Sequence, residues 1–187
     1  MYYSIKVKDH IRLPPTEFEK DLKEGIIEQI KSKFSGYVSK DLGFVIDVLD
    51  IDLIEDGIII PGDGAPYYNT TFELLTYLPE MQEVVIGKIR DITDFGAFLS
   101  LGPVDGMIHI SQTMNDFVSF SKDKVLQGKE SNRSLKVGDI CYGRIVAVSF
   151  KDPANPKIGV TMRQQGLGKI EWVPVDLGLE KASVANK

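Results

Sequence analysis

The sequence has few of the residues that build disulfides, metal centres and catalytic triads. Its 187 residues include one cysteine, Cys141, and two histidines, His10 and His109. A single cysteine excludes an internal disulfide, which is compatible with a reducing cytoplasm. A closed zinc site needs about four Cys or His ligands, and the sequence has neither a G-x-S-x-G motif nor a histidine with an evident triad partner. The sequence therefore predicts a chain without a catalytic site, metal or cofactor of its own.

Long apolar runs are also missing. No stretch approaches the roughly 20 apolar residues that cross a bilayer. The first ten residues, MYYSIKVKDH, carry charge where a secretory leader needs an apolar stretch. The predicted localisation is therefore cytoplasmic, with no membrane partner.

Charge is spread unevenly along the chain. The formal net charge is −5. Residues 1–80 carry 8 Lys or Arg and 15 Asp or Glu, whereas residues 81–187 carry 14 and 12. An acidic half and a mildly basic half indicate two parts with different partners. Because LPEMQE also separates two kinds of pattern, we expect one domain over residues 1–80 and a second over residues 81–187.

The first half predicts an α+β domain. Strand-like YYSIKV is followed by Thr16 and Glu19, a capping-box pattern behind two prolines that predicts a helix start. Apolar residues then recur at helical spacing as far as Gly36: Phe18, Leu22, Ile26, Ile27, Ile30 and Phe34. GFVIDVLDIDLIEDG, GIIIP and TTFELLTYLP predict three strands. One main helix on a small antiparallel sheet is an α+β arrangement, and the apolar residues on both strand faces predict that something else covers the second face.

The second half predicts a small all-β barrel. Five short strands with Gly-rich turns follow one another: EVVIGKIRDI, GAFLSL, GMIHIS, DICYGRIVAVSF and KIGVTMR. A polar insertion near residues 112–134 separates the third strand from the fourth, and within it FVSF and KVLQG predict a hairpin laid on the barrel. The last ten residues of the C-terminal tail are expected to be disordered.

Two phenylalanines and a histidine are predicted on the outside of this barrel. Phe95 and Phe98 are three residues apart, so a bulge at Gly96 or Ala97 is needed to bring both rings to one side. The alternative for both rings is burial in the core, and for His109 a purely structural role.

Strand alternation predicts which neighbours lie inside the barrel and which lie outside. The side chains expected inside are Ile108, Ile110, Ile158, Val160 and Met162, and those expected outside are Met107, His109, Ser111, Lys157, Thr161 and Arg163. An outer face with rings, an imidazole and cations offers flat surfaces to unstacked bases and positive charge to phosphates.

A glycine-flanked loop in the first half predicts a docking site for another protein. Its candidate residues are Gly62, Asp63, Gly64, Pro66, Tyr67 and Tyr68. GDGAPY lacks the G-x-G-x-x-G spacing and opens no helix, which excludes a nucleotide cradle. Exposed tyrosines suit protein interfaces, and the alternative is an ordinary mobile hairpin tip.

An acidic run precedes this loop and consists of Asp47, Asp50, Asp52, Glu55 and Asp56. Its spacing differs from that of an EF-hand, because Ile54 stands where another Asp or Asn should be. We therefore expect a solvated acidic strand end and not a metal site.

Residues 82–165 resemble the S1 domain, an OB-fold RNA-binding barrel, through GKI, FGAF, GMIHIS and VGD in this order. The resemblance implies a ligand face built from Phe95, Phe98 and His109, with an Asp and an Arg near the fifth strand. SFKDPANPK replaces the usual turn there, and only Asp152 and Lys157 lie nearby. Four further cations are candidates for a favourable potential towards RNA, namely Lys88, Arg90, Arg144 and Arg163.

The whole chain resembles the family of the E-prime component of archaeal RNA polymerase, the counterpart of the seventh subunit of eukaryotic RNA polymerase II. IRLPPTEF, DGIIIPGDGAPYYNTTFELLTYLP, GPVDGMIHISQ and LGKIEW carry this resemblance. It implies an RNP-like tip domain docked on the polymerase core, a nucleotidyltransferase complex, and an S1 domain facing nascent single-stranded RNA. It also implies a heterodimeric stalk with the small F component of the same polymerase. The alternatives are an S1-domain factor of translation or RNA decay, and a nuclease with an acidic metal centre.

Overall fold

The computed structural model describes residues 1–121, 123–152 and 156–177. The chain divides into two compact units, of which the first is Met1–Leu78 and the second begins at Pro79. The tail expected to be disordered, residues 178–187, lies outside the described residues. Within the described ranges, no helix has both the length and the apolar character that a membrane span requires.

The first unit is a four-stranded antiparallel sheet with one helix packed on it. The strands are β1 (Tyr2–Arg12), β2 (Val38–Ser39), β3 (Gly43–Ile59) and β4 (Pro66–Tyr77), and the helix is α1 (Leu22–Phe34). Their order in the sheet is β1-β4-β3-β2. This arrangement confirms the predicted α+β class.

The core of the first unit lies between α1 and the sheet. Ile26, Ile30 and Phe34 of the helix pack with Phe72 and Leu74 of β4. The Phe34 and Phe72 rings lie 5.6 Å apart. Burial of side chains of this size contributes about 1.5–3 kcal/mol each, so the apolar stripe of the helix anchors it on the sheet.

The helix begins later than the sequence predicted. Pro14 has an extended backbone, and Pro15–Glu17 form a short 3-10 turn that does not continue. The helix instead starts after Asp21, whose carboxylate accepts the Lys23 N–H at 3.1 Å and so satisfies one of the open N–H groups of the first turn. Phe18 therefore lies outside the helix and is 53 % exposed.

Strand β3 is one 17-residue strand, so the prediction of a separate strand at GIIIP was wrong. Its pairing with β4 contains four register shifts. Each extra residue resets the alternation of side chains. As a result, the apolar side chains of Ile46, Leu49 and Leu53 are between 40 and 53 % exposed.

The second unit contains a closed five-stranded barrel, as predicted. Its strands are β5 (Val84–Thr93), β6 (Gly96–Ser100), β7 (Asp105–His109), β11 (Ile140–Ser149) and β12 (Lys157–Thr161). They follow the order β12-β7-β6-β5-β11, and β11 pairs with β12 to close the barrel. The interior is filled by Ile89, Leu99, Ile108, Ile145 and Val160, each at most 1 % exposed. The short strand β13 (Gly168–Lys169) pairs with β11, and helix α2 (Val173–Asp176) follows it.

The insertion between β7 and β11 forms a separate small sheet. It consists of β8 (Val118–Ser121), β9 (Val125–Gly128) and β10 (Ser134–Lys136), in the order β10-β9-β8. The predicted hairpin is confirmed as β8 and β9, which pair antiparallel. The third strand was not predicted, because three residues are too few to show a period of two.

Candidate nucleic-acid interface

The Phe95 and Phe98 rings lie together on the outer wall of the barrel. Their centroids are 6.1 Å apart, and the ring planes meet at 89°. This edge-to-face arrangement is a favourable one for two aromatic rings. Phe95 is 46 % exposed, and Phe98 is half-buried. The prediction that the two rings share an outer surface is confirmed, and the alternative of two core phenylalanines is wrong.

The predicted bulge at Gly96 or Ala97 is not what brings the rings together. Phe95 lies in the turn before β6, so strand alternation does not apply to it. The register shift between β5 and β6 falls instead on the other strand, between Ile89 and Asp91.

Gly96 allows a close approach of β6 to β7. Its φ is +155°, and a Cβ added there would lie 2.1 Å from the Ile108 carbonyl oxygen. No side chain fits in that space, and such a φ favours glycine. Because Gly96 is paired with His109, this close approach places the imidazole beside the turn that contains Phe95.

His109 ends β7 and is exposed. Its Nδ1 accepts the Ser111 N–H at 3.3 Å and lies 2.9 Å from Ser111 Oγ. A neutral ring that accepts at Nδ1 carries its hydrogen on Nε2. The imidazole therefore presents an N–H donor next to the two phenylalanines.

Two neighbours of His109 are placed differently from the prediction. Ile110 begins the 3-10 turn Ile110–Gln112 and is half-buried, because the strand stops at His109 and alternation stops with it. Thr161 is only 4 % exposed. Its hydroxyl lies 2.8 Å from Gln112 Oε1, so this 3-10 turn covers it.

The predicted cations come from β5, β11 and β12 and from the segment that follows β12. Lys88 is paired with Ser100 of β6, and exposed Lys157 begins β12, which pairs with β7. Arg163 follows β12, and its Nε donates to Asn115 Oδ1 at 3.2 Å.

Two of the predicted cations are less available to a ligand. Arg90 forms an ion pair with Asp105 at 2.6 Å, although its side chain is 71 % exposed. Arg144 lies on β11, between β5 and β12 and two strands away from β6. Its Nε is buried without a hydrogen-bond partner within the described residues.

The altered turn SFKDPANPK lies partly outside the described residues.

Asp91 is a neighbour of the aromatic pair that the sequence did not reveal. It is paired with Phe98 across β5 and β6 and accepts a hydrogen bond from Lys124 of the insertion at 2.7 Å. This hydrogen bond holds the pKa of Asp91 below its usual value. No sequence pattern shows a contact between residues 33 positions apart.

In the predicted docking loop, Asp63 organises the backbone. Its carboxylate accepts from Arg12 Nε at 2.9 Å, Arg12 Nη2 at 2.8 Å and the Tyr67 hydroxyl at 2.8 Å. The hydrogen bonds from Arg12, followed by that from Tyr67, hold the pKa of Asp63 well below its usual range. The loop is therefore held in one shape by a bidentate ion pair.

The other loop residues differ in part from the expectation of an exposed tip. Pro66, Tyr67 and Tyr68 belong to β4, and the two tyrosines are half-buried instead of fully exposed. Tyr68 packs against the core of the first unit. Gly62 has a φ of +96°, which favours glycine, whereas Gly64 lies outside the left-handed region and has open space around it.

Comparison with known proteins agrees with this architecture. The family model described as "SHS2 domain found in N terminus of Rpb7p/Rpc25p/MJ0397" matches residues 8–64, and the model described as "S1 RNA binding domain" matches residues 78–149. DNA-directed RNA polymerase subunit Rpo7 of Saccharolobus solfataricus is 37 % identical over 175 residues, which cover 92 % of this chain and 97 % of that protein. This chain belongs to the Rpo7 family.

Other relatives of the Rpo7 family support the same assignment. The Rpo7 protein of Sulfolobus acidocaldarius is 34 % identical over 174 residues, covering 92 % of this chain and 95 % of that protein. DNA-directed RNA polymerase III subunit RPC8 of Bos taurus is 28 % identical over 165 residues, covering 83 % and 81 %. The resemblance to the archaeal polymerase component is thereby confirmed along nearly the whole chain.

The acidic run of this Rpo7 family member is paired with lysines. Four ion pairs run along β3: Asp47–Lys31 at 3.0 Å, Asp50–Lys23 at 2.8 Å, Asp52–Lys6 at 2.8 Å and Glu55–Lys8 at 2.6 Å. The hydrogen bonds from these lysines lower the pKa of Asp47, Asp50 and Glu55. The described residues contain no group of three or more His, Cys, Asp or Glu arranged to hold a metal ion. The geometry of the acidic run therefore gives no support to a nuclease centre.

Proposed function

We propose that this chain is a non-catalytic stalk subunit of an archaeal-type DNA-directed RNA polymerase and that its barrel binds nascent single-stranded RNA. One observation carries the proposal: Phe95, Phe98 and His109 stand together on the outer wall of an S1 barrel, in a chain similar to Rpo7 proteins along its length. Aromatic rings stack on any base, so the binding has little sequence preference. Lys88 on β5, which pairs with β6, and Lys157 on β12, which pairs with β7, add positive potential for phosphates.

The loop with Gly62, Asp63 and Gly64 and the adjoining Pro66–Tyr68 of β4 form the proposed contact with the polymerase core. The ion pair between Arg12 and Asp63 supports this role, because a loop that is already ordered loses less conformational entropy when it binds. Function as part of a polymerase also implies a cytoplasmic protein.

The small F component of archaeal RNA polymerase is the proposed partner of the first unit. Ile46, Leu49 and Leu53 of β3 are at least 40 % exposed, and Ile58 and Ile59 near its end are 59 % and 71 % exposed. Exposed apolar side chains in this number mark a protein-interaction surface.

Co-expression with the F component and addition to core polymerase test the assembly. We expect a 1:1 complex by light scattering, and we expect Leu49→Ser and Leu53→Ser to weaken it because each removes an apolar contact. Phe18→Ser is the matched control, since Phe18 is as exposed as Leu53 but precedes α1 and lies outside β3. A stable, non-aggregating monomer that does not bind the F component would contradict the proposal. Recovery of ribosomes or the exosome in place of polymerase would favour the translation or RNA-decay alternative.

A further inference from the structure

The insertion sheet carries aromatic rings that the S1 face does not account for. Phe117 precedes β8 and is 67 % exposed, and Phe120 within β8 is 40 % exposed. We propose that these two rings extend the single-stranded RNA path beyond Phe95 and Phe98, with Phe120 as a third stacking ring and Phe117 with Lys129 as a fourth contact. This inference rests on the proposed RNA binding of the barrel.

The tip of the β8–β9 hairpin is tied to the aromatic face. Lys124 Nζ donates to Asp91 Oδ1 at 2.7 Å. Asp91 is paired with Phe98, and paired residues of antiparallel strands extend their side chains from the same face. The hairpin tip therefore lies on the same side of the barrel wall as Phe98.

Pairing within the insertion sheet gives the direction of Phe120. It is paired with Leu126, so both side chains leave the same face of the sheet. Leu126 and its other partner Leu135 are fully buried, so this face is turned towards the interior of the unit. Phe120 is still 40 % exposed, which places its ring at the open edge of that face, beside the buried leucine layer.

Phe117 is held firmly at the base of the hairpin. The preceding carboxylate, Asp116, accepts the N–H groups of Ser131 at 2.9 Å and Glu130 at 3.0 Å. Lys129 Nζ stands 4.5 Å from the centre of the Phe117 ring. A fixed ring with a cation on one face can take a base on its exposed surface and a phosphate at the ammonium group.

The charge of the insertion favours RNA over a protein as the occupant. Residues 116–136 carry five Lys or Arg and three Asp or Glu, in a chain whose net charge is −5. Within residues 116–136 the described large apolar side chains that are exposed are Phe117 and Phe120, both aromatic, whereas those of β3 are aliphatic. Rings interleaved with cations are what single-stranded nucleic acid requires.

Titration of the full chain with two fluorescent oligouridylates tests the inference. Their lengths, about 4 and about 12 nucleotides, lie within the site sizes of OB-folds. We expect Phe120→Ala to weaken binding of the longer RNA about 5- to 150-fold, the effect of one lost base stack, and to leave binding of the shorter RNA unchanged. Phe95→Ala should weaken both. Phe18→Ala removes a ring that is more exposed than Phe120 from the first unit and should change neither.

Two conservative variants separate stacking from folding. Phe120→Trp keeps a ring and should bind the longer RNA about as tightly as wild type. Phe120→Leu keeps apolar bulk without a ring and should bind the longer RNA nearly as weakly as Phe120→Ala. Both should unfold at the wild-type temperature. Equal affinity of wild type and Phe120→Ala for the longer RNA would overturn this inference and leave the proposed function intact, provided Phe95→Ala loses affinity. Loss of polymerase assembly with unchanged RNA binding would show a protein contact and would also overturn it. If Phe95→Ala loses nothing either, the proposed function itself is refuted.

Discussion

Gly96→Ala should disrupt both the stability and the RNA binding of the barrel. The added Cβ would lie 2.1 Å from the Ile108 carbonyl oxygen and 3.1 Å from His109 Cα. Both contacts are with backbone, so no side chain can move aside to relieve them. Strand β6 must therefore separate from β7 between the Phe95 turn and His109.

The expected magnitude follows from two costs. Overpacking of this kind costs about 1–3 kcal/mol, and a non-glycine residue at φ +155° adds about 1–3 kcal/mol of backbone strain. The sum of about 2–6 kcal/mol is a large part of the roughly 5–15 kcal/mol that stabilises a typical domain. Denaturant titration followed by circular dichroism should show this loss, and RNA titration at low denaturant should show weaker binding.

Gly64→Ala is the matched control for Gly96→Ala. Gly64 lies outside the left-handed region, and no atom lies within 4 Å of the added Cβ. We expect unchanged stability, or a gain of about 0.4–1 kcal/mol from the less flexible unfolded chain. A Gly96→Ala protein as stable as Gly64→Ala would refute the close approach of β6 and β7 at this position.

Two further predictions concern a carboxylate and a thiol. Asp63→Asn should weaken binding to core polymerase in a pull-down and leave RNA binding unchanged, because it removes the charge that Arg12 holds. The folded-state pKa of Asp63 lies below its ordinary value of about 3.9, so its contribution is complete above that pH and is lost only as the pH falls below it. Docking on core polymerase should therefore not change between about pH 5 and pH 8 on account of this group. Recovery of as much core polymerase by Asp63→Asn as by wild type would contradict the role of the loop. Burial, with a smaller effect of the Asp139 charge, raises the pKa of Cys141 to about 12. Iodoacetamide at about pH 8 should then alkylate Cys141 only after denaturation, and rapid alkylation of the native chain, measured by intact mass, would contradict its burial.

The fold was predicted well from the sequence where a regular pattern of apolar residues is bounded by a glycine or proline. The five barrel strands and the apolar stripe at Ile26, Ile30 and Phe34 belong to this class. The start of α1 was missed because Asp21 and Thr16 are both acceptable caps, and local sequence does not decide between them. The full length of β3 was not predicted, because its four register shifts break the alternation of apolar and polar residues that identifies a strand.

The candidate site was predicted through the residues that share one local motif. Phe95, Phe98 and His109 come from two consecutive strands and the turn before them, so a short stretch of sequence contains the whole cluster. The cations come from strands that are distant in the sequence, and only the closed barrel shows that Arg144 lies two strands from β6. The contact between Lys124 and Asp91 depends on how the insertion folds back onto the barrel, and no periodic pattern in the sequence predicts that.

Titration of single-stranded RNA with wild type, Phe95→Ala and Phe98→Ala is the most direct test of the central claim, that the outer wall of this S1 barrel binds RNA. Each variant should lose about 1–3 kcal/mol of binding free energy, the scale of one base stack, with similar losses for unrelated sequences. Binding should also weaken with added salt, because phosphate neutralisation releases counterions. Circular dichroism of the same samples shows whether they are folded. Folded Phe95→Ala and Phe98→Ala proteins with undiminished affinity would contradict the account.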